Sequence, residues 1–441
     1  MLLPHALPLA LPLLGLAAAH TGCGGHEIAR RNPGGRVIHA RQQVDKNNVD
    51  PASECTPYTY PPVNAVKSQY PAIWSSATLV PGDDAAATLF ASINATLNQR
   101  LPNTQPRGTH MGDWTGVNYP PNDPDCWWTW KQCTTPAADT GIAADISTMP
   151  EPETWGFGFD DGPNCSHNAL YNFLEENNQK ATMFFIGSNV MDWPLQAIRA
   201  KDDGHQICVH TWSHQYMTSF SNEQAFAELY YTRKAIKDVI GVTPKCWRPP
   251  FGDTDNRIRL IASLLNMTTV LWSDDTDDWK VGIGGVTAQD VDNNYAKVIN
   301  ASKAGAYATH GPVVLNHEIN NYTMGEMIKQ YPNIKAAFKY IVPIATGLNI
   351  TNPYQETDVT YPTFAQYTGN TAGASSSSSS SPSSSAVGSG SASAAGSASG
   401  SASSAAKASA SLASKNNSGA GAAPSVSAAS LLLGLTAALL I

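Results

Sequence analysis

Trp155-Gly156-Phe157-Gly158-Phe159-Asp160-Asp161-Gly162-Pro163 reads as an apolar strand that runs into two adjacent carboxylates and a Gly-Pro turn. Burying neighbouring carboxylates is costly unless positive charge is close, because desolvation would otherwise neutralise them. The pair therefore points to a cation, although the same residues could serve only as a helix N-cap and a turn. Outward from this stretch, β-rich runs at Thr182 to Ile186, Gln206 to Val209, Thr268 to Trp272 and Val313 to Leu315 alternate with segments of helical spacing. The clearest helix is expected at Asn222 to Ile240, where Phe226, Leu229, Tyr230, Ala235, Ile236, Val239 and Ile240 fall largely on one face. Strand and helix alternation between Glu151 and about Ile344 implies an α/β fold with a parallel sheet. Chemistry in such folds sits at the carboxyl ends of the strands.

A second cluster, His210-Thr211-Trp212-Ser213-His214, begins at the end of a predicted strand. On a helical turn its two imidazoles would face the same way. The pair lacks the glutamate of a zinc-protease helix, since Thr211 stands there. With Asp161 it makes two histidines and one carboxylate, leaving coordination positions open for water and substrate. Non-haem iron oxygenases use the same set, but usually on all-β frameworks, so the βα pattern favours hydrolysis.

Three later segments complete a pattern: Arg248-Pro249-Pro250-Phe251-Gly252, Trp272-Ser273-Asp274-Asp275-Thr276-Asp277-Asp278-Trp279, and Leu315-Asn316-His317. In this order the five clusters resemble the motifs of the polysaccharide deacetylases, carbohydrate esterase family four, over roughly Glu151 to Tyr340. The resemblance implies a distorted (β/α) barrel with fewer than eight regular units. It implies that Asp161, His210 and His214 bind one divalent metal, zinc with cobalt as the other candidate, and that Asp160 is the general base. His317 resembles the general acid that protonates the departing sugar amine. Arg248 would orient Asp160, Asp278 would orient His317, and a backbone N–H near Phe251 would help to hold the oxyanion. Phe251, Trp279 and Leu315 would contact substrate, the last two as walls for the acetyl methyl. Taken singly, Arg248 could be a surface ion pair, Asp278 a helix cap and His317 a core histidine. Gly158 stands where the family usually has Thr, and Phe251 where it usually has Tyr; neither change removes a reacting group.

The remaining chain speaks of a secretory route. Residues 1–19 form an apolar, proline-broken run ending in Ala17-Ala18-Ala19, a signal peptide too short to span a bilayer. Residues 20–150 form an extension rich in Trp and Pro, in which Cys126 to Cys133 could close an aromatic loop. Packing on the catalytic domain at 151–345 is its favoured reading, and sugar stacking the other. A carboxyl extension at 346–371 leads to a disordered Ser/Ala/Gly stalk at 372–416. Residues 417–441 follow the order of a glycosylphosphatidylinositol signal, with Asn417 or Ser418 as attachment point and an apolar tail, Leu431 to Ile441. Seven cysteines suit an oxidising compartment, with one left over. Of the sequons, Asn94, Asn266, Asn300, Asn321 and Asn349 are expected to carry glycans, whereas Asn164 lies too near the metal cluster. The formal net charge of −8 argues against a nucleic-acid partner. Together these features predict a monomeric, surface-anchored enzyme acting on fungal wall chitin. Acetylxylan is the alternative substrate, and a glycan-binding wall mannoprotein the alternative without catalysis.

Overall fold

The computed structural model describes residues 43–369 and two short strands before them. Arg30–Arg31 and Val37–Ile38 pair antiparallel within a separate unit that ends at Asp45. The expected signal peptide, Cys23, the expected stalk and the expected lipid-attachment site at Asn417 or Ser418 lie outside the described residues.

The body is a mixed α/β fold around parallel strands. We number β1 Thr154–Gly156, β2 Gly158–Gly162, β3 Thr182–Phe185, β4 Gln206–Val209, β5 Cys246–Trp247, β6 Thr268–Thr269, β7 Asp274–Asp275, β8 Val314–Leu315 and β9 Tyr340–Val342. Strands β2 to β6 form one parallel sheet in chain order, while β7 pairs with β8 and β1 with β9, both parallel. Bridges from Asp160 to His317 and from Gly156 to Val313 place the β8 segment beside β1 and β2. The α/β class with a parallel sheet expected from the alternation is what the structure has.

The opening stretch is not one strand from Trp155 to Phe159, as its composition suggested, but two. Phe157 is the switch: its N–H donates to Val342 O at 2.9 Å, and its carbonyl accepts from Thr182 N at 3.0 Å. One residue thus satisfies its backbone groups on different neighbours. Gly158 permits this close approach, since a Cβ there would lie 2.7 Å from the Thr182 carbonyl oxygen. That contact gives glycine a physical reason at this position in this chain.

The helix expected at Asn222–Ile240 forms over those residues, opened by a Ser221/Gln224 capping box and closed at Gly241, whose φ is 89°. Its buried face includes Tyr231 rather than Tyr230, which is only half-buried. Glu228 lies within that face, fully buried. Three disulfides join Cys55 to Cys165, Cys126 to Cys133 and Cys208 to Cys246. The second closes the aromatic loop, in which Trp127 and Trp128 are buried and Trp130 is 47% exposed. The third ties β4 to β5, directly below the metal-ligand candidates.

Candidate active site

Every catalytic, metal and substrate residue singled out in the sequence lies at or just beyond the carboxyl end of a strand. Asp160 and Asp161 end β2, His210 follows β4, Arg248 follows β5, and His317 follows β8. Neither aspartate caps a helix, because the next one begins only at Asn168 with His167 as its N-cap.

Asp161 Oδ1 lies 3.3 Å from His210 Nε2 and 3.0 Å from His214 Nε2, and it accepts no hydrogen bond of acceptable geometry. One ligand atom from each of the three residues falls within 4.8 Å of the others, so the group could hold a metal ion. His210 Nδ1 is 2.8 Å from the Arg248 carbonyl oxygen, which can only accept. Nδ1 therefore carries the proton and leaves the Nε2 lone pair for a cation. Burial alone would push the Asp161 carboxyl up, but the His214 and His210 imidazoles outweigh it, with a further contribution from His317. They hold it well below the usual carboxylate range. An orphaned buried carboxylate oxygen between two imidazoles fits a divalent metal of borderline character.

The two histidines do not converge by a helical turn. Thr211 and His214 have left-handed backbones, with φ of 65° and 53°, so the segment is an irregular loop. A buried carboxylate shapes it: Glu228 accepts from Trp212 N, Ser213 N and Ser213 Oγ at 2.6 to 2.8 Å, and from Ala77 N of the amino-terminal segment at 2.8 Å. Sequence reasoning missed Glu228. Its signal was an acid inside the apolar face of an amphipathic helix.

Asp160 and His317 are each held by one oppositely charged partner. Arg248 is fully buried rather than a surface ion pair, and its Nη1 lies 2.6 Å from Asp160 Oδ1. Asp278 accepts from His317 N at 2.9 Å through Oδ2 and from His317 Nδ1 at 2.6 Å through Oδ1. It therefore fixes a ring rather than capping a helix. Burial lowers the His317 pKa, but the Asp278 carboxylate, with Asp161 and Asp160 behind it, raises it to about 10. Leu315 is buried, Trp279 stands 6.4 Å from the His317 ring, and Phe251 stands 4.8 Å from the His214 ring. Glu318, also missed, lies beneath the turn after Asp161: a Cβ on Gly162 would sit 1.7 Å from Glu318 Oε1, and burial pushes this carboxyl up to about 8. A cavity of about 600 Å³ lined by Asn178, Lys180, Gly204 and Tyr361 lies instead at the amino-terminal ends of β3 and β4.

Two of the described sequons adjoin this constellation: Asn164 follows Pro163 directly, and Ser166 Oγ is hydrogen-bonded to both Asn164 Oδ1 at 3.0 Å and Asn321 Oδ1 at 2.6 Å. Asn164 Nδ2, the atom a glycan would take, donates to Ile319 O at 2.7 Å.

Residues 148–270 match the family model described as "Polysaccharide deacetylase". The chain is 62% identical over 366 residues to "Chitin deacetylase 2" of Cryptococcus neoformans var. grubii, covering 82% of this chain and 80% of that protein. It is 43% identical over 350 residues to "Chitin deacetylase" of Amylomyces rouxii, covering 78% and 81% respectively. Among solved structures, the chitin deacetylase of Colletotrichum lindemuthianum aligns at 21% identity with a TM-score of 0.44, covering 48% of this chain and 96% of that one. Identity at that level over four fifths of a relative's length means that this chain belongs to the polysaccharide deacetylase family, carbohydrate esterase family four.

Proposed function

We propose that this protein is a metal-dependent chitin deacetylase, which hydrolyses the acetamide of N-acetylglucosamine units to chitosan and acetate. The observation that carries the chemistry is the pairing of Asp160 with Arg248 and of His317 with Asp278, on either side of Asp161, His210 and His214. The named activity of relatives up to 62% identical supports chitin as substrate.

In this reading Asp161, His210 and His214 hold the cation, with zinc favoured by the mixed nitrogen and oxygen donors. When bound, it polarises the acetamide carbonyl and lowers the pKa of water. Asp160 takes the proton of the attacking water, and Arg248, 2.6 Å from its Oδ1, aims the carboxylate. A backbone N–H near Phe251, whose φ of 57° turns the chain sharply, would help to hold the developing oxyanion. His317 then delivers its proton to the leaving nitrogen, while Leu315 and Trp279 receive the acetyl methyl. The strand pairing supports a distorted (β/α) barrel: the segment after β6 continues into β7, β7 pairs with β8, and the β8 segment bridges back to β2.

The test is acetate release from chitin oligosaccharides and from acetylated xylan. We expect release from the former, loss of activity in chelator and recovery with added zinc. Faster turnover of xylan would replace the substrate, and chelator-resistant turnover would remove the metal from the reading.

The same reading places the enzyme at the cell surface as a monomer, tethered through Asn417 or Ser418 by a lipid anchor, with Asn94, Asn266, Asn300, Asn321 and Asn349 glycosylated. The engaged Nδ2 of Asn164 supports an unoccupied sequon there. From Lys46 to residue 150 the extension is proposed to be integral to the catalytic body; the Glu228 clamp on Ala77 and the Cys55–Cys165 disulfide support this. A chain ending at Thr368 is expected to be secreted, soluble and active. The full-length protein is expected to be membrane-bound and released by a phosphatidylinositol-specific phospholipase. Release with Leu431 to Ile441 still attached would count against the anchor.

A further inference from the structure

Trp74 is the only tryptophan with a positive φ, 63°, among the described residues, and it is 48% exposed. A bulky side chain in the left-handed region costs on the order of 1–2 kcal/mol. Such a conformation persists only where its surroundings over-determine it. Four hydrogen bonds do so here. Trp212 Nε1 donates to Ala72 O at 3.0 Å, Trp74 N to Ser188 Oγ at 2.9 Å, Ser76 Oγ to Gln215 Oε1 at 2.8 Å, and Ala77 N to Glu228 at 2.8 Å. Two of the four partners, Trp212 and Gln215, belong to the metal-ligand loop or adjoin it. A third, Glu228, shapes that loop. The indole is fixed as well, since its Nε1 donates to Asp192 Oδ2 at 3.0 Å. The strained backbone thus holds a half-exposed indole in one orientation.

The position of this indole in the fold is specific. Ser188, which takes the Trp74 amide, adjoins Asn189, whose Nδ2 donates to the carbonyl of Asp161 at 2.8 Å. Trp74 therefore stands beyond the end of β3, whereas Phe251, 42% exposed, stands beyond the end of β5 with its ring stacked on Tyr216 at 4.2 Å. His210 follows β4, between the two. The two aromatics thus stand beyond β3 and β5, the strands that flank β4 in the sheet, with the metal-ligand loop after β4 between them. We propose that Trp74 is a specificity-determining residue, an aromatic platform for a sugar unit next to the one being deacetylated, so that chain length is read partly by residues 72–77 of the amino-terminal extension. A pyranose offers an apolar C–H face that packs on an indole fixed in advance, with little ordering cost on binding.

This inference rests on the deacetylase reading, and its test separates the two. The kcat/KM ratio of a six-unit to a two-unit N-acetylglucosamine oligomer would be measured for wild type, Trp74→Ala, Trp74→Gly and Trp74→Phe. The ratio is expected to fall about tenfold in the first two variants, which corresponds to the upper range of an aromatic packing contact, and to be largely kept in Trp74→Phe. Glycine suits the positive φ, so Trp74→Gly keeps the loop while deleting the ring; an unchanged Tm with a lowered ratio assigns the effect to the indole. A ratio unchanged in Trp74→Gly overturns the proposal. Tryptophan fluorescence of the Asp160→Asn variant, titrated with the six-unit oligomer, reads binding without turnover. If wild type releases no acetate from any oligomer, the deacetylase reading fails. The fluorescence response then still decides the role of Trp74: its loss with the Trp74→Gly substitution supports the platform, and its persistence sinks it.

Discussion

Asp160→Asn is expected to lose turnover by about 10²–10⁴-fold while keeping its metal, whereas Asp161→Asn is expected to lose the metal itself. The two residues are chemically identical neighbours, so only their surroundings can separate them. Asp160 Oδ1 is gripped by Arg248 at 2.6 Å, and its Oδ2 stays 3.8 Å from His210 Nε2. An asparagine there still offers Arg248 a carbonyl oxygen, so the site should keep its shape, but an amide cannot take a proton from water. Asp161 Oδ1 sits instead between two imidazole nitrogens at 3.0 and 3.3 Å. Replacing its charge with a neutral amide weakens the only anionic ligand. Excess zinc should therefore restore part of the activity of Asp161→Asn and none of that of Asp160→Asn. Metal content of both purified proteins, beside acetate release over a range of zinc concentrations, decides the matter. Metal loss in Asp160→Asn, with both metal and turnover kept in Asp161→Asn, would mean that the roles are reversed.

The clusters at Asp160, His210, Arg248 and His317 were legible because each couples a chemically costly side chain to the end of an apolar run, and Asp278 because it falls in order among them. The helix at Asn222–Ile240 was legible for the simpler reason that its period and caps are local. What the sequence concealed was set by contacts between distant residues. The His210 to His214 segment looks like a helical turn at i, i+4 spacing, yet its shape comes from a glutamate fourteen residues beyond His214 and one segment of the extension. The split of the first strand at Phe157 depends on which carbonyl lies over Gly158, and no local pattern encodes that. Trp74 was hidden similarly: an exposed tryptophan in a Pro-rich stretch carries no signal until its backbone angle and its four tethers are known.

The pH dependence of turnover should in turn expose the work of Asp278. The His317 pKa lies near 10 against an ordinary value of 6.5, raised by a carboxylate that contacts Nδ1 at 2.6 Å and the backbone N–H at 2.9 Å. Because the folded value is the higher one, this proton stabilises the fold fully below about pH 6.5, and that contribution is lost as pH rises through about 10. The same proton is the one the leaving amine needs. An acid held far above its ordinary pKa stays charged at neutral pH until the departing nitrogen becomes basic enough to take its proton. A bound cation would offset the fields of Asp161 and Asp160, so the Asp278 contribution is the one that a substitution isolates. Asp278→Asn should therefore move the basic limb of kcat to lower pH, with a loss that is larger at pH 8 than at pH 6. His317→Ala should cost about 10²–10⁴-fold at every pH below that limb. Profiles of kcat against pH for the three proteins, with metal content checked in each, separate this from a structural effect, which would lower the whole curve without moving its limb. A basic limb that stays in place in Asp278→Asn would remove His317 as the proton donor governed by that carboxylate.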